Sequence, residues 1–231
     1  MVKTKVMDAQ GLAMMKDRVE RLLSERGVQI HHPALCAALE EKGCLVDGEH
    51  VRFPREVIAQ AVAAVPKQFT LYSPSGEHDL RFPHPEGGFY TRTNTGAPAY
   101  REANGDEHVY RLRDVEEWFT VCNSMENVDY IALPSTSESE VPAEAVDVLT
   151  LEKALKISKK HIWIQPYEAR NVRCLIEVAQ AAAGGADKLR EKPFVSFISC
   201  SVPLLHFKYM DAEVLYRCAE AGIPVQPCSL P

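Results

Sequence analysis

The pattern of hydrophobic and polar positions changes near residue 88. Before it, apolar residues recur three and four positions apart in short stretches, which is typical of amphipathic helices joined by turns. After it, short apolar runs alternate with longer stretches of helical spacing, which is typical of strands and helices in a β/α fold. We therefore predict a helical N-terminal segment with a small hairpin over residues 1–87 and a strand–helix repeat over residues 88–231.

Turn and capping residues mark the elements of the N-terminal segment. Gly27 ends a first helix, Pro33 stands at the first position of a second, and Gly43 ends it. The sequence Asp47-Gly48 predicts the turn of a hairpin. The predicted elements are helices through 15–23 and over 33–42 and 55–65, a hairpin within 44–53, and a strand at 69–72. We expect residues 73–87, with three prolines and several charges, to form a linker or surface excursion.

Five strands and four helices are predicted in the second region. Asp114 followed by Glu117 has the spacing of a capping box, and Gly184 and Gly222 follow stretches of helical periodicity. The predicted strands are 89–95, 130–134, 161–166, 194–201 and 223–227. The first predicted helix begins at Asp114, and the other three cover 143–158, 169–183 and 208–221. Strands separated by helices predict a parallel sheet with right-handed crossovers.

Two parallel architectures compete for this repeat. A doubly wound sheet often carries a glycine-rich phosphate turn after its first strand, and no G-x-G-x-x-G or Walker sequence occurs in the chain. A β/α barrel needs no such motif and fits better, but a closed barrel takes eight units and ~250 residues. The chain supplies four units and the start of a fifth strand. Both a complete five-stranded open sheet and a barrel cut in half are compatible with this pattern.

Composition and charge exclude several classes of protein. With 46% hydrophobic and 25% charged residues, the 231-residue chain is globular in type. A net charge of −6 argues against a nucleic-acid partner. No apolar run reaches the ~18 residues of a membrane span, and the seven cysteines form no C-x-x-C pair. These features lead us to expect a cytoplasmic protein. We expect no metal site, because the side chains of adjacent His31 and His32 point apart.

An ordered set of short motifs resembles the trimethylamine methyltransferase (MttB) family. No single motif carries the resemblance, which runs from about residue 20 to the last residue. The motifs are 27–30 (GVQI) followed by Pro33, 39–44 (LEEKGC), Val65-Pro66 before 69–71 (FTL), Thr95-Gly96, 126–130 (ENVDY) leading into Leu133-Pro134, Lys192-Pro193 before 194–200 (FVSFISC), and 222–225 (GIPV).

The resemblance implies a fold and an activity. It implies an α/β protein of the (β/α)8 TIM-barrel type, here only its first half, preceded by a helical N-terminal segment. The family moves a methyl group from methylated amines to the cobalt of a corrinoid protein. The resemblance therefore implies an enzyme of one-carbon metabolism or methanogenesis that acts on trimethylamine or a quaternary amine such as a betaine. Its partners would be a cognate corrinoid protein, which carries the cobalamin, and further copies of itself in a homo-oligomer. No tightly bound cofactor of its own is expected.

Two other interpretations remain beside this one. The chain could be a truncated, non-catalytic fragment or an interaction module of that family, because a half-barrel leaves strand edges exposed. It could also be a different barrel enzyme, such as an aldolase or decarboxylase. The second of these usually needs a Schiff-base lysine or a phosphate site at the strand ends, and the five predicted strands show neither.

Demethylation of an ammonium group requires cation binding more than acid–base catalysis. A Co(I) nucleophile displaces the amine in line, and a quaternary ammonium leaves as a neutral amine without a general acid. Aromatic faces and carboxylates suit such a cation, and a barrel places its site at the carboxyl ends of the strands. No catalytic residue is assigned. The candidate substrate-binding residues are Tyr90, Asn94, Thr95, Gln165, Tyr167, Glu168, Ser199, Ser201 and Gln226.

The candidates also have ordinary structural interpretations. Tyr90 could be a core aromatic, Asn94 a turn residue, and Glu168 a favourable charge at a helix start. The hydroxyls at the end of the fourth strand often satisfy backbone groups only. Gln165 shares strand parity with Trp163 and His161, so all three are expected on one face unless Trp163 packs under the helices.

Overall fold

In the computed structural model the described residues are 6–94, 99–136, 141–203 and 205–229, and they form two compact units. One unit contains the described residues up to Pro66 together with Ser201–Ala212; the other contains Lys67–Cys200 and Glu213–Ser229. The structure thus groups residues 67–87 with the second unit, whereas the sequence pattern groups them with the N-terminal segment. No helix in the described ranges is long and apolar enough to cross a membrane.

The elements follow one another along the chain in this order: α1 (Ala9–Arg21), a π-helical turn (Leu22–Arg26), β1 (Val28–Ile30), α2 (Pro33–Glu41), β2 (Leu45–Asp47), β3 (His50–Arg52), α3 (Arg55–Ala64), β4 (Phe69–Leu71), β5 (Leu80–Phe82), β6 (Ala99–Arg101), β7 (Glu107–Val109), α4 (Asp114–Ser124), β8 (Ile131–Ala132), α5 (Ala143–Leu155), β9 (Ile162–Ile164), α6 (Ala169–Ala183), α7 (Ala186–Glu191), β10 (Val195–Ser201), β11 (His206–Phe207), α8 (Tyr209–Ala221) and β12 (Val225–Ser229).

The first unit is a small mixed sheet with helices. Its strands lie in the order β11-β1-β3-β2, with β1 parallel to β11 and antiparallel to β3. The predicted hairpin is confirmed, because Asp47 pairs with His50 and leaves a two-residue turn between them. Pro33 begins α2 as predicted, and the His32 imidazole accepts the Leu35 N–H at 2.9 Å. Strand β11, which is distant in sequence, was not foreseen, because two residues carry no periodic signal.

The second unit contains a parallel sheet whose strands follow chain order. The sheet runs β12-β10-β9-β8, the β8–β9 and β9–β10 pairs are parallel, and Arg92 adds a parallel bridge to Tyr130 beyond β8. A doubly wound sheet would reverse its order at a switch point, so this sequential order is that of a barrel wall. Helices α4, α5, α6 and α8 occupy the connections, as predicted, and α6 has the predicted bounds with Gly184 in the left-handed conformation.

The first predicted strand, 89–95, is wrong in extent. Of its described residues, 89–94, only Arg92 makes a strand bridge. The reason is that two side-chain oxygens, rather than backbone carbonyls, accept hydrogen bonds from backbone N–H groups here. The Thr91 N–H donates to Asp129 Oδ2 at 2.6 Å, and the Ala132 N–H donates to Thr93 Oγ1 at 2.9 Å. Side-chain acceptors of this kind compete with the ladder and interrupt it. Thr95 lies outside the described residues.

Residues 73–87 are not the expected linker. Strands β4 and β5 pair antiparallel, and the rings of Phe69 and Phe82 stack across them with centroids 4.8 Å apart. The hairpin contacts the amino-terminal end of β9, since His161 Nδ1 lies 2.7 Å from the Tyr72 carbonyl and Ser75 Oγ donates to the Lys159 carbonyl at 2.9 Å. Hairpin β6–β7 and helix α7 also have no predicted counterpart, because they are too short for a periodic signal.

The capping box predicted at Asp114 is not formed, although α4 begins there. Asp114 Oδ2 accepts the N–H of Arg111, which precedes the helix, at 2.8 Å. The residue at the N-cap is Arg113, whose side chain makes no capping hydrogen bond. The aspartate therefore closes the turn before the helix rather than capping its first turn.

The parallel sheet has two apolar faces. The face toward the helices, here called the helix face, carries the larger core, in which Phe119, Leu151, Leu175 and Phe197 are fully buried. The opposite face, here called the inner face, carries a separate cluster. That cluster consists of Ala132, Trp163 and Ile198, with Tyr130, Cys200 and Cys228 packed against it. The alternation of Phe197 and Ile198 between the two faces is that of a regular strand.

Candidate functional site

The inner face is built around Trp163 on β9. Its ring is buried, and the guanidinium carbon of Arg92 lies 4.0 Å from the ring centroid. This is a cation–π contact, and it shows that Trp163 does not pack under the helices. The indole Nε1 is buried and has no hydrogen-bond partner among the described residues. Gln165 shares the strand parity of Trp163 and lies half-buried at the carboxyl end of the same face.

His161, at the amino-terminal end of β9, has a structural role. The Tyr72 carbonyl can only accept, so Nδ1 carries the proton, and Nε2 accepts the Ser196 hydroxyl proton at 2.8 Å. Burial lowers the pKa of His161 to about 4, and the hydrogen bond to Tyr72 opposes this only in part. The imidazole is therefore neutral near pH 7. It joins the hairpin to the sheet at the end of the strands opposite the expected site.

A pocket of about 170 Å³ lies where β8 and β9 end and α5 and α6 begin. We call it the rim pocket, and it is lined by Pro134, Ser135, Thr136, Ala143, Val146, Asp147, Tyr167, Glu168 and Asn171. Two predicted site residues, Tyr167 and Glu168, lie next to each other in it. The exits of neighbouring parallel strands meet at one edge of a sheet, which is why residues 134–136 and 167–168 converge.

Asp147 is the lining residue that the sequence prediction missed. Asn171 Nδ2 donates to its Oδ1 at 2.6 Å, while Oδ2 is buried and accepts no hydrogen bond from the described residues. Burial is the largest influence on the Asp147 carboxyl and raises its pKa, with neighbouring N–H groups and the Asn171 amide acting in the opposite direction. A signal was present in the sequence: Asp147 stands four residues before Leu151 and seven before Ala154, on the buried stripe of α5.

The other candidates are divided between different places. The Tyr90 hydroxyl donates to the Arg81 carbonyl at 3.1 Å, and its ring lies 5.0 Å from that of Phe82, so Tyr90 is held by hairpin β4–β5 and not at a strand exit. Asn94 is exposed and lines a second pocket, of about 270 Å³, together with Tyr100 and Trp118. Thr95 cannot be placed, because it lies outside the described residues.

The serine candidates on β10 lie on the opposite face from Gln165. Ser199 and Ser201 have the parity of Phe197, which belongs to the helix face, and Ser199 is only 2% exposed. The neighbour with inward parity is Cys200. On β12, Gln226 is exposed and shares the inner face with Cys228. The structure thus brings Tyr167 and Glu168 together in the rim pocket and places Gln165 and Gln226 on the inner face.

The two adjacent histidines have separate partners. His31 Nδ1 lies 2.6 Å from Glu49 Oε2, whereas His32 caps α2. Within the described residues, no group of three or more histidine, cysteine or acidic side chains is arranged to hold a metal ion.

Comparisons with known proteins agree with the fold. A family model described as trimethylamine methyltransferase (MTTB) matches residues 1–230. The chain is 26% identical over 211 residues to the trimethylamine methyltransferase MttB of Desulfitobacterium hafniense, covering 90% of this chain and 42% of that protein. It is 26% identical over 215 residues to the trimethylamine methyltransferase MttB of Methanosarcina thermophila, covering 90% and 44%. It is 23% identical to a glycine betaine methyltransferase of Desulfitobacterium hafniense, covering 99% and 47%.

A solved structure, the hydroxylamine complex of MtmB, matches with a TM-score of 0.50 at 12% identity, over 95% of this chain and 50% of that one. Together with the sequential strand order, this likeness identifies the parallel sheet as about half of a (β/α)8 barrel. The chain spans less than half the length of the curated relatives it matches. Because the family model matches nearly the whole chain, this protein belongs to the trimethylamine methyltransferase (MttB) family.

Proposed function

We propose that this chain acts in a methyltransferase that moves a methyl group from a methylated amine to the cobalt of a corrinoid protein. The observation that carries the proposal is the family match over residues 1–230. It is supported by relatives named trimethylamine methyltransferase and glycine betaine methyltransferase. The methyl donor would be trimethylamine or a quaternary amine. The methyl acceptor would be the cobalamin of a separate corrinoid protein, which is a substrate of the reaction and not a group resident in this chain.

In this proposal the inner face binds and orients the methylated amine. Trp163 and Arg92 form its floor, and Gln165 directly follows the carboxyl end of β9, where a barrel binds its substrate. Gln226 is the second residue of β12 and lies on the same face. The amide of Gln165 would orient the amine, and the surrounding side chains would exclude water from it. A quaternary donor leaves as a neutral amine, so no side chain needs to supply a proton. The corrinoid protein would approach the same end of the barrel.

The compartment follows from the same chemistry. A Co(I) acceptor requires reducing conditions, and all seven cysteines of the chain are free thiols. We therefore place the reaction in the cytoplasm. Assembly into a homo-oligomer is part of the proposal.

The test is methyl transfer by the purified chain under anoxic conditions. The chain is mixed with a reduced corrinoid protein and with trimethylamine or glycine betaine in turn, and conversion of Co(I) to methyl–Co(III) is followed in the visible spectrum. Gln165→Ala should reduce the rate with either amine, because it removes the orienting amide. Glu152→Gln, at an exposed position on α5 that pairs with Lys156, is the matched control and should not. An equal rate for Gln165→Ala and the unaltered chain would contradict the assignment of the inner face.

A second candidate function is an interaction module of the same family that does not catalyse by itself. The curated relatives are matched over 42–47% of their length. Such a module would pair with a complementary half-barrel. Analytical ultracentrifugation decides the matter: a module of this kind is expected to associate. A single monomeric species that unfolds cooperatively would contradict it.

A further inference from the structure

Cys200 on β10 and Cys228 on β12 lie on the same face of the parallel sheet. Both side chains are half-buried, and both pack against the inner-face cluster that contains Trp163. The strands that carry them are neighbours in the sheet. Two thiols on one face of adjacent strands meet only where the register places them opposite each other, so the register decides what this pair can do.

The β9–β10 pair shows how one backbone hydrogen bond reports the register of this sheet. The Ile162 N–H donates to the Phe194 carbonyl at 3.0 Å, and Ile162 lies opposite Val195, the residue after the acceptor. This offset is general for parallel strands, because a residue bonds to the two neighbours of the residue opposite it. A single bond of this kind therefore fixes which residues of two adjacent parallel strands face each other.

The same rule places the two cysteines opposite each other. The connection from β10 to β12 is a crossover through α8, which makes these strands parallel. The Phe197 N–H donates to the Pro224 carbonyl at 3.1 Å, so Phe197 lies opposite Val225. Both strands are continuous beyond this point. Three residues further along, Cys200 therefore lies opposite Cys228.

Pro227 agrees with this register. Its nitrogen carries no proton, so it cannot donate a hydrogen bond to a neighbouring strand. In the register given above, β12 donates to β10 through the N–H groups of Gln226 and Cys228, and the nitrogen of Pro227 points to the other side. Since β12 is the end strand of this sheet in the described residues, the proline interrupts no pairing there.

A pair in this position has the geometry that a disulfide needs. Opposite Cα atoms of adjacent strands are about 4.8 Å apart, and the Cα atoms of disulfide-bonded cysteines are about 4.4–6.8 Å apart. The two Cβ atoms point to the same face, so the sulfurs can meet without a rearrangement of the backbone. In the described structure neither sulfur is part of a disulfide. The pair is therefore a dithiol that oxidation can close.

The other cysteines are poor competitors for an oxidant. Cys36, Cys44, Cys122 and Cys218 are at most 4% exposed. Burial raises the pKa of each of these four thiols, so each carries less of the nucleophilic thiolate. Cys174 is half-buried like the pair, but it lies on α6, which covers the helix face of the sheet. It is therefore a thiol of similar exposure in a different place.

We propose that Cys200 and Cys228 form a reversible disulfide on reaction with a small-molecule disulfide, which makes the inner face a site of redox modification. One thiolate attacks the small disulfide, forms a mixed disulfide and releases one small thiol. The second thiolate attacks the protein sulfur of the mixed disulfide and releases the other small thiol. Two protein thiols are oxidised, one small disulfide is reduced, and the two protons pass to the released thiols. The new bond fastens β12 to β10.

Incubation of the purified, reduced chain with oxidised glutathione tests the proposal. The remaining thiols are then alkylated in denaturant and the chain is cut after Lys, Arg and Glu, which separates Cys228 from Cys218 at Glu220. We expect a linked pair of peptides that contain Cys200 and Cys228, lighter than the two reduced peptides by two hydrogen atoms and separated again by dithiothreitol. Absence of this link would overturn the proposal, as would links to other cysteines or to a second chain in equal yield.

Single substitutions show whether each thiol resolves the mixed disulfide of the other. Cys200→Ser leaves a mixed disulfide on Cys228 with no opposite thiol, so the glutathionyl adduct should accumulate there at least about tenfold above its level in the unaltered chain. Cys228→Ser should have the same effect at Cys200. Cys174→Ser is the matched control and should leave the link at full yield. Unchanged adduct levels in both single variants would overturn the pairing. The link itself is measured in the unaltered chain, so the result does not depend on the folding of a variant.

The dithiol site does not rest on the proposed function, and the two proposals fail separately. A chain that forms methyl–Co(III) when reduced but gives no link between Cys200 and Cys228 loses the redox site and keeps the proposed function. A chain that forms the link but never transfers a methyl group keeps the redox site and loses the proposed function.

Discussion

The amide of Asn171 on α6 donates a 2.6 Å hydrogen bond to the carboxylate of Asp147 on α5. This contact joins two helices that follow neighbouring strands of the barrel wall, and it fixes the partly buried carboxylate beside the rim pocket. Because burial raises the pKa of Asp147, the charged form is the costly one in the folded state. The contact is therefore both a structural link and the support of a destabilising charge.

Removal of that support should reduce stability in a pH-dependent manner. Asn171→Ala leaves Asp147 without its amide donor, and we expect a loss of about 1–3 kcal/mol in the free energy of unfolding at pH 7. The loss should shrink as pH falls and Asp147 becomes protonated. Urea unfolding at several pH values measures it, with Arg173→Ala, at an exposed position on the same helix, as the control. A loss that is the same at low and neutral pH would contradict the argument.

The sign of the Asp147 contribution can be checked with the isosteric amide. A folded-state pKa above the unfolded value means that the folded protein binds the proton more tightly, so stability falls as pH rises through the raised pKa. Asp147→Asn lacks this titration. We expect the variant to become more stable relative to the unaltered chain as pH rises from about 4 to 7. Parallel stability curves for the two proteins over this range would show that Asp147 does not titrate as proposed.

We expect Lys160 to stabilise the fold mainly through the hydrogen bonds that it donates, rather than through its charge. Its buried Nζ donates to the carbonyls of Cys122, Met125 and Val128 at 2.8, 2.7 and 2.6 Å, which closes the carboxyl end of α4. Lys160→Met would leave these acceptors unsatisfied, and we expect a loss of about 2–4 kcal/mol. Lys159→Met changes an exposed side chain next to it and should be nearly neutral. Thermal and urea unfolding compare the two, and equal stabilities would be inconsistent with this role.

His161 should make the second unit sensitive to acid. Its pKa is lowered from 6.5 to about 4 by burial, so the unfolded chain takes up a proton before the folded chain does. Stability is therefore fully present above pH 6.5 and is lost as pH falls toward 4, by on the order of 3 kcal/mol at the lower end. His161→Gln should remove this part of the acid loss, although it also lowers stability at pH 7. An unchanged pH slope in that variant would contradict the buried neutral imidazole.

Two glycines separate backbone strain from steric contact. Gly27 and Gly48 both have positive φ, but a Cβ at Gly27 would lie 2.3 Å from the Val51 carbonyl oxygen, whereas one at Gly48 meets nothing within 4 Å. Gly48→Ala should cost only the strain of the left-handed conformation, about 1 kcal/mol. Gly27→Ala should cost about 3 kcal/mol or more, since the backbone must also move. Urea unfolding of both variants tests the difference, and equal losses would refute it.

The elements that could be predicted from the sequence are those with a long hydrophobic periodicity and a clear terminating residue. Helix α6 has its predicted bounds because an apolar stripe over fifteen residues ends at Gly184. The first barrel strand was overestimated, since its ladder is interrupted by the side chains of Thr93 and Asp129, and no pattern of hydrophobicity reports such local competition. Hairpin β4–β5 was missed because the segment between its two strands is polar and rich in turn-forming residues, which is also typical of a linker.

Some of the residues at the candidate site can be selected from the sequence, and others cannot. Tyr167 and Glu168 could be identified because they directly follow a buried strand, where a β/α fold places its site. Ser199 has the parity of Phe197 and so lies on the helix face. The sequence shows this alternation but does not show which face of the strand meets the helices. Asp147 was missed because a single carboxylate in a helix is usually solvent-exposed, and only the tertiary packing of α5 against α6 shows that it is partly buried.

The visible spectrum of a reduced corrinoid protein mixed with this chain and trimethylamine tests the central claim most directly. We expect the Co(I) bands to give way to those of methyl–Co(III), at a rate that depends on the chain and on the amine. A full-length member of the family, run beside it, shows that the corrinoid protein is competent. Conversion by that relative, with an unchanged Co(I) spectrum for this chain with trimethylamine and with glycine betaine, would contradict methyl transfer by this chain.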